Sequence, residues 1–271
     1  MLSKFIGEVK KRLGKYIFYL LMIWNRLDNY ISKLKLREKA LNCLERLIFR
    51  LDTTKYVIDR PKLDYQPLPW VGISHADIRG DETYARWEQI AKHISQRHGK
   101  SAIDIGSAYG FFSIRMAEMG CDVLGIDLNP RHIRIARYAV PQSLRKHCNF
   151  IESELTPGSI DFLPPVDFTL LLSVWHHWVY WFGLSDATAM LATVWNKTRD
   201  VLFFESGEGE VIDEFKLPFN ENNARQWLED YLKKTCNGST VTIISEHLAG
   251  KYEHYNATKT TRALFMIQRQ K

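Results

Sequence analysis

The sequence predicts an α/β protein, a doubly wound and mostly parallel seven-stranded sheet preceded by an N-terminal helical extension. Three observations predict it. Beyond Gly99 short apolar runs alternate with helical segments, a glycine turn joins the first of those runs to a helix, and the last two runs follow each other with no helix between them. Alternation of strand and helix puts helices on both faces of a parallel sheet, while two successive strands imply an antiparallel hairpin at its edge.

The elements follow in order. From Ile6 apolar residues recur at alternating steps of three and four (Val9, Leu13, Tyr16, Leu20, Ile23, Leu27, Tyr30, Leu34, then Leu41, Leu44, Ile48 and Leu51), which is a helical stripe interrupted at Arg37. Ile17, Trp24 and Ile31 widen that face beyond a coiled-coil seam. Residues 1–58 are therefore expected to form a basic amphipathic helical extension, which docks on its own domain or a twin subunit, lies in a membrane interface, or forms a coiled coil. Residues 59–80, with Pro61, Pro67, Pro69, Gly72 and Gly80, read as a linker or lid. Residues 81–271 form the main domain, opened by a helix that Asp81 caps and that ends at Gly99. The expected strands are Ala102–Ile105, Asp122–Ile126, Asn149–Ile151, Asp167–Leu172, Val201–Glu205, Thr240–Ser245 and Arg262–Gln268. The expected helices are Phe111–Glu118, Arg131–Tyr138, Asp186–Asn196 and Asn222–Lys234.

Charge divides the chain. The first fifty residues hold twelve Lys or Arg against four acids, whereas all 271 residues carry a net +6. A basic arm on a near-neutral body suits an anionic membrane surface or nucleic acid, and a solvated helix face explains it equally well. Cys43, Cys121, Cys148 and Cys236 lie far apart with no CxxC pair, which argues against a disulfide framework and a zinc site and points to a reducing cytoplasm. The apolar stretch Tyr16–Trp24 falls short of the ~20 residues that span a bilayer. Neither a transmembrane span nor a signal peptide is expected. A peripheral location at the inner face of the membrane remains open to the basic helix.

The segment Ala102-Ile-Asp-Ile-Gly-Ser-Ala-Tyr-Gly-Phe-Phe-Ser113 runs from an apolar strand through a glycine turn into a helix. Gly106 and Gly110 permit a tight turn and close approach to a ligand, and the helix start presents free N–H groups. The next strand ends in Asp127, about 20 residues on, where an acid in a doubly wound sheet can bind both hydroxyls of a ribose. Together they describe a nucleotide-type cofactor cradle. A nicotinamide site would need G-x-G-x-x-G, and Ala108 and Phe111 stand where glycines should recur.

These residues resemble the first motif of the class I S-adenosylmethionine (SAM)-dependent methyltransferases, an acidic residue, Gly, three residues, Gly: Asp104-Ile-Gly106-Ser-Ala-Tyr-Gly110. The resemblance covers roughly residues 81–271 and implies a Rossmann-like fold with SAM as cofactor. It implies that Gly106 and the adjoining backbone, Ser107 and Gly110 included, meet the methionine end, that Asp104 orders the loop, and that Asp127, with Leu128 beside it, holds the ribose. The adenine is then expected near Glu152, Ser153 and Glu154, Glu154 being the candidate contact. The family often carries a third glycine where this chain has Ala108.

The fourth strand delivers Leu172-Ser-Val-Trp-His-His-Trp178 to the carboxyl edge of the sheet, where open α/β sheets bind ligands. Ser173 is expected at the cofactor, and His176 or His177 as general base, since an imidazole titrating near neutrality can take a proton from an acceptor hydroxyl. An alternative role for either histidine is to order the loop. Adjacent histidines lack the i, i+4 spacing of helical metal pairs, so no metal is expected. Of Trp175, Trp178 and Trp181, at least two are expected in the core.

The run Ser173-Val-Trp-His-His, with Gly183-Leu and Val201-Leu-Phe-Phe-Glu205, is most similar to methyltransferase domains of bacterial surface-polysaccharide enzymes, and also similar to small-RNA 5′-end methyltransferases. No Asp/Asn-Pro-Pro-aromatic motif and no Pro-Cys pair follows the fourth strand, which leaves O-methylation in front. The leading expectation is a SAM-dependent O-methyltransferase acting on a glycan or related small-molecule acceptor, with residues 1–50 attaching it to a membrane surface or to a second copy. An RNA methyltransferase using the basic helix on phosphates is the alternative, and a catalytically silent SAM-binding module is a third reading.

Overall fold

A computed structural model of the chain describes residues 66–74, 80–208, 211–248 and 261–270. The helical stripe expected within residues 1–58 lies outside the described residues. The chain divides into two compact units, residues 1–59 and 60–271, and the described residues all belong to the second.

Its elements are α1 (Gly80–Ser95), β1 (Ser101–Ile105), α2 (Phe111–Glu118), β2 (Asp122–Asp127), α3 (Pro130–Ala139), β3 (Cys148–Glu152), β4 (Val166–Leu172), α4 (Trp175–Lys197), β5 (Thr198–Glu205), a single turn α5 (Ile212–Phe215), α6 (Ala224–Thr235), β6 (Ser239–Leu248) and β7 (Thr261–Arg269). The seven strands form one sheet in the order β3-β2-β1-β4-β5-β7-β6. β7 runs antiparallel to both its neighbours, Phe204 facing Phe265 and Val241 facing Ile267. The other pairings are parallel, with Ile103 beside Leu124 and Thr169. The doubly wound sheet and its edge hairpin are thus those the alternation predicts.

Burial explains why the strands read so clearly. β4 and β5 sit centrally in the sheet, so Phe168, Leu170, Leu171, Val201, Leu202, Phe203 and Phe204 are fully buried and appear as near-continuous apolar runs, broken in β4 by the buried Thr169. β6 lies at the edge and its residues are mostly half-buried.

Several boundaries differ from expectation: β5 starts three residues early, at Thr198, β6 runs on to Leu248, and α1 stops at Ser95, short of Gly99. α1 begins at Gly80, so Asp81 lies within its first turn instead of capping it. The helix expected at Asp186–Asn196 begins eleven residues earlier, at Trp175, with one non-helical residue, Gly183, inside it. Trp175, His176, Trp178 and Val179 are buried in the part before Gly183, and a segment apolar on several sides carries no helical stripe to read. Finally, part of the segment expected as linker or lid is ordered against the sheet domain. Leu68 pairs with Ile73 in an isolated β-bridge, Leu68 is fully buried, and Trp70 Nε1 donates to Glu118 at 2.6 Å.

Candidate functional site

β1 and β4 are neighbours, but β1 leads to β2 and β3 on one side and β4 to β5 on the other. The crevice outside their carboxyl ends is the switch point at which sheets of this kind bind ligands. The glycine loop leaves β1 there, and the Ser173–His177 turn leaves β4 beside it.

The loop is tightly wound. Gly106, Ala108 and Gly110 have φ of +74°, +48° and +84°, a region in which a side chain is costly. Gly106 N–H and Ser107 N–H both donate to the Ile126 carbonyl, at 2.8 and 3.0 Å. A Cβ on Gly106 would collide with Val174 Cγ2, so the two expected motifs touch through this glycine.

Asp104 is buried within β1 and accepts from Ser113 Oγ at 2.6 Å, tying the strand to the first turn of α2. Burial pushes its carboxyl up to about 7, helped by the nearby Asp127 charge and opposed by the Ser113 bonds. Asp127, at the end of β2, moves the other way. Burial alone would raise it, but bonds from His132, Asn129 N–H and Ala108 N–H together hold it below the ordinary carboxylate value. Those contacts are Ala108 N–H to Oδ2 at 2.9 Å, and Asn129 N–H and His132 Nδ1 to Oδ1 at 2.8 and 3.2 Å. A carboxylate has about four acceptor positions, so Oδ2 keeps capacity for a ribose hydroxyl. Sequence reasoning missed His132, whose only signal was a polar residue in the first turn after Asp127.

The residues fit SAM on a further observation. Ser107 Oγ is buried between the two glycines with no hydrogen-bond partner among the described residues. A buried hydroxyl left unmatched costs about 1–3 kcal/mol, and a polar group of a ligand would satisfy it. Leu128 is half-exposed beside Asp127. Ser153 N–H donates to the Asp127 carbonyl at 3.0 Å, which brings the Glu152–Glu154 segment alongside, with Glu154 exposed.

On the β4 side Ser173 has φ +59°. Its N–H donates to the Glu205 carbonyl at 2.8 Å, its hydroxyl donates to Glu205 Oε1 at 2.6 Å, and Arg262 Nη1 donates to the same hydroxyl at 2.9 Å. Arg86 Nη1 reaches both Glu205 oxygens, at 3.1 and 3.2 Å. This buried cluster, drawn from α1, β5 and β7, was absent from the sequence reading and engages the hydroxyl expected at the cofactor.

His176 is buried, and its Nδ1 accepts from Gly207 N–H at 3.0 Å. His177 is half-buried, its ring 4.5 Å from that of His176, 5.3 Å from Trp181 and 4.8 Å from Phe215. Burial, then the positive charge of Arg262, lowers its pKa, so it stands neutral near pH 7. Trp175 and Trp178 belong to the core, while Trp181 and Tyr180 are about half exposed. Among the described residues no helix is long and apolar enough to cross a membrane.

Comparison with known proteins agrees with this geometry. Residues 103–199 match the family described as methyltransferase domain. The O-antigen chain terminator bifunctional methyltransferase/kinase WbdD of Escherichia coli is 27% identical over 108 residues, 38% of this chain and 14% of that protein. Among solved structures, the bifunctional kinase-methyltransferase WbdD superposes with a TM-score of 0.56 at 19% identity, over 79% of this chain and 45% of the other. WbdD with a kinase inhibitor gives 0.57 at 17% identity, over 79% and 47%. The chain therefore spans less than half of these relatives, and likeness at such identities speaks for the fold. The family match spans the strand–glycine–helix segment, and the acid-Gly-x-x-x-Gly turn meets Asp127 at the switch point: residues 103–199 match a methyltransferase domain, and the second unit has the Rossmann-like fold of SAM-dependent methyltransferases.

Proposed function

We propose that this chain transfers the methyl group of SAM to a hydroxyl of a glycan or a related small molecule, with an imidazole of the His176–His177 pair taking the hydroxyl proton. The observation that carries the proposal is the contact of Gly106 with Val174, which sets the cofactor loop against the residue preceding Trp175 and the histidines. SAM, when bound, supplies an electrophilic methyl on a sulfonium. The chain's own residues must hold, orient and deprotonate. Asp127 and the Ser107 hydroxyl would hold the cofactor, and an imidazole of the pair would face the acceptor. The half-exposed Trp181 and Tyr180 offer an apolar face to a sugar ring. The glycan class is supported by the Escherichia coli relative, an O-antigen chain terminator.

Peripheral membrane attachment or self-association through residues 1–50 belongs to the same proposal. The basic surplus of that segment also favours a second reading, methylation of RNA with the extension on phosphates. The two separate by salt, since contacts to several phosphates weaken binding steeply as salt rises.

The deciding experiment is calorimetric titration with SAM, NAD serving as control, followed by transfer of labelled methyl to O-antigen-type polysaccharide and to RNA. SAM binding with label in polysaccharide supports the reading. Label in RNA alone moves the second reading to the front, and NAD binding without SAM binding overturns both.

A further inference from the structure

We infer that the two adjacent histidines divide the work, His176 being a fixed hydrogen-bond donor that positions the turn and His177 the imidazole that accepts the acceptor's proton. This rests on the methyl-transfer reading above and assigns the base within it.

A backbone N–H can only donate. Gly207 N–H lies 3.0 Å from His176 Nδ1 in a buried setting, so Nδ1 must present its lone pair. Turning the ring over would set a carbon against the amide and leave a buried donor unmatched, so the ring orientation is determined too. Neutral His176 therefore carries its hydrogen on Nε2 and can only donate there. To gain a second proton it would have to surrender the Gly207 bond. A group held in this way is a poor proton acceptor and a good strut: it joins the start of α4 to the segment after β5 and packs its ring 4.8 Å edge-on against Phe215.

His177 has no such constraint from the hydrogen bonds of this turn. Its own N–H closes the first helical turn on Val174, while its ring lies among His176, Trp181 and Phe215. Trp181 is exposed, so that side of the ring stack faces outward. The charges around the pair come from Arg262 on β7 and from Glu205 on β5, which lies 3.7 Å from Arg262. In the reaction the hydroxyl proton passes to a ring nitrogen of His177. The acceptor oxygen forms its bond to the methyl carbon as the carbon–sulfur bond breaks, and the electron pair of that bond neutralises the sulfonium. His177 then returns its proton to solvent.

The test needs no acceptor. In protein labelled with nitrogen-15 at histidine, long-range proton–nitrogen spectra report which ring nitrogen is protonated. His176 is expected as the Nε2–H form throughout the range near neutrality, and an Nδ1–H form of His176 overturns the inference. Diethyl pyrocarbonate acylates an accessible unprotonated ring nitrogen. Peptide mapping is expected to find His177 modified and His176 spared, and the reverse pattern overturns the inference as well. His176→Asn keeps an acceptor oxygen for Gly207 and is expected to leave the modification of His177 in place, whereas His177→Asn should abolish modification of the pair. Should either variant fail to fold, the wild-type spectrum and mapping still decide. SAM titration of the same protein separates the failures: SAM binding with the wrong tautomer sinks this assignment alone, and no SAM binding removes the cofactor reading and the assignment with it.

Discussion

Asp104 and Asp127 carry the same side chain twenty-three positions apart, yet the fold sends their proton affinities in opposite directions. Asp104 is buried and its pKa is raised to about 7 from an ordinary 3.8. A group that holds its proton more tightly folded than unfolded costs stability as pH rises between those two values. Asp104→Asn keeps an oxygen for Ser113 and removes that cost, so the variant should gain on the wild type as pH climbs from about 4 to 7. Urea melts across that range check it, and parallel curves would refute the burial argument. Asp127 has the opposite sign: its lowered pKa contributes stability above the ordinary value, lost as pH falls through the folded one. In the proposed site it also holds the ligand. Asp127→Ala should weaken SAM binding by about 1.5–3 kcal/mol, the range for a hydrogen bond to a charged group, and unchanged affinity by calorimetry would remove it from the site. Both acids were legible in the sequence because each ends or nearly ends an apolar strand. His132, Arg86, Glu205 and Arg262 were not legible as partners, since a charged residue 119 positions from its partner announces nothing locally.

Elements were legible in proportion to how regularly they bury. The strands of the parallel half and the amphipathic α3 and α6 fall within three residues of expectation, each having a repeating apolar face. α4 did not, for the physical reason already visible in its first turns: the residues after the fourth strand are aromatic on both the core side and the exposed side. Gly183 sits between the aromatic first half and the regular second half with φ +80° and ψ 163°, a conformation open essentially to glycine alone. A Cβ there would meet no atom within 4 Å. Gly183→Ala therefore isolates backbone strain from packing and should cost about 1–3 kcal/mol, read as a shift in denaturant midpoint with an unchanged slope. If the variant is as stable as the wild type, α4 straightens freely, and the bend contributes nothing to aiming the histidine turn.

At the scale of the whole molecule, the charge division along the sequence and the division into compact units agree in position: the basic surplus lies within the first fifty residues and the second unit starts at residue 60. The second unit has its own core and sheet, so removing residues 1–58 is expected to leave SAM affinity and cooperative unfolding intact, while abolishing co-sedimentation with anionic vesicles or self-association by light scattering. The boundary matters at the scale of single contacts. Removing residues 1–74 would also take Gln66, whose Oε1 accepts from Phe111 N–H at 3.4 Å, the buried Leu68, and Trp70, which lies beneath the Arg115 guanidinium 5.2 Å away and packs on Phe111. Burial of one large apolar side chain contributes about 1.5–3 kcal/mol, a sizeable part of the ~5–15 kcal/mol by which a domain is stable. The longer deletion should therefore lower the unfolding midpoint and loosen the start of α2, next to the cofactor loop, where the shorter one does neither. Equal loss of stability in both truncations would mean that the extension completes the core of the methyltransferase domain, and would leave the charge division as a property of the surface alone.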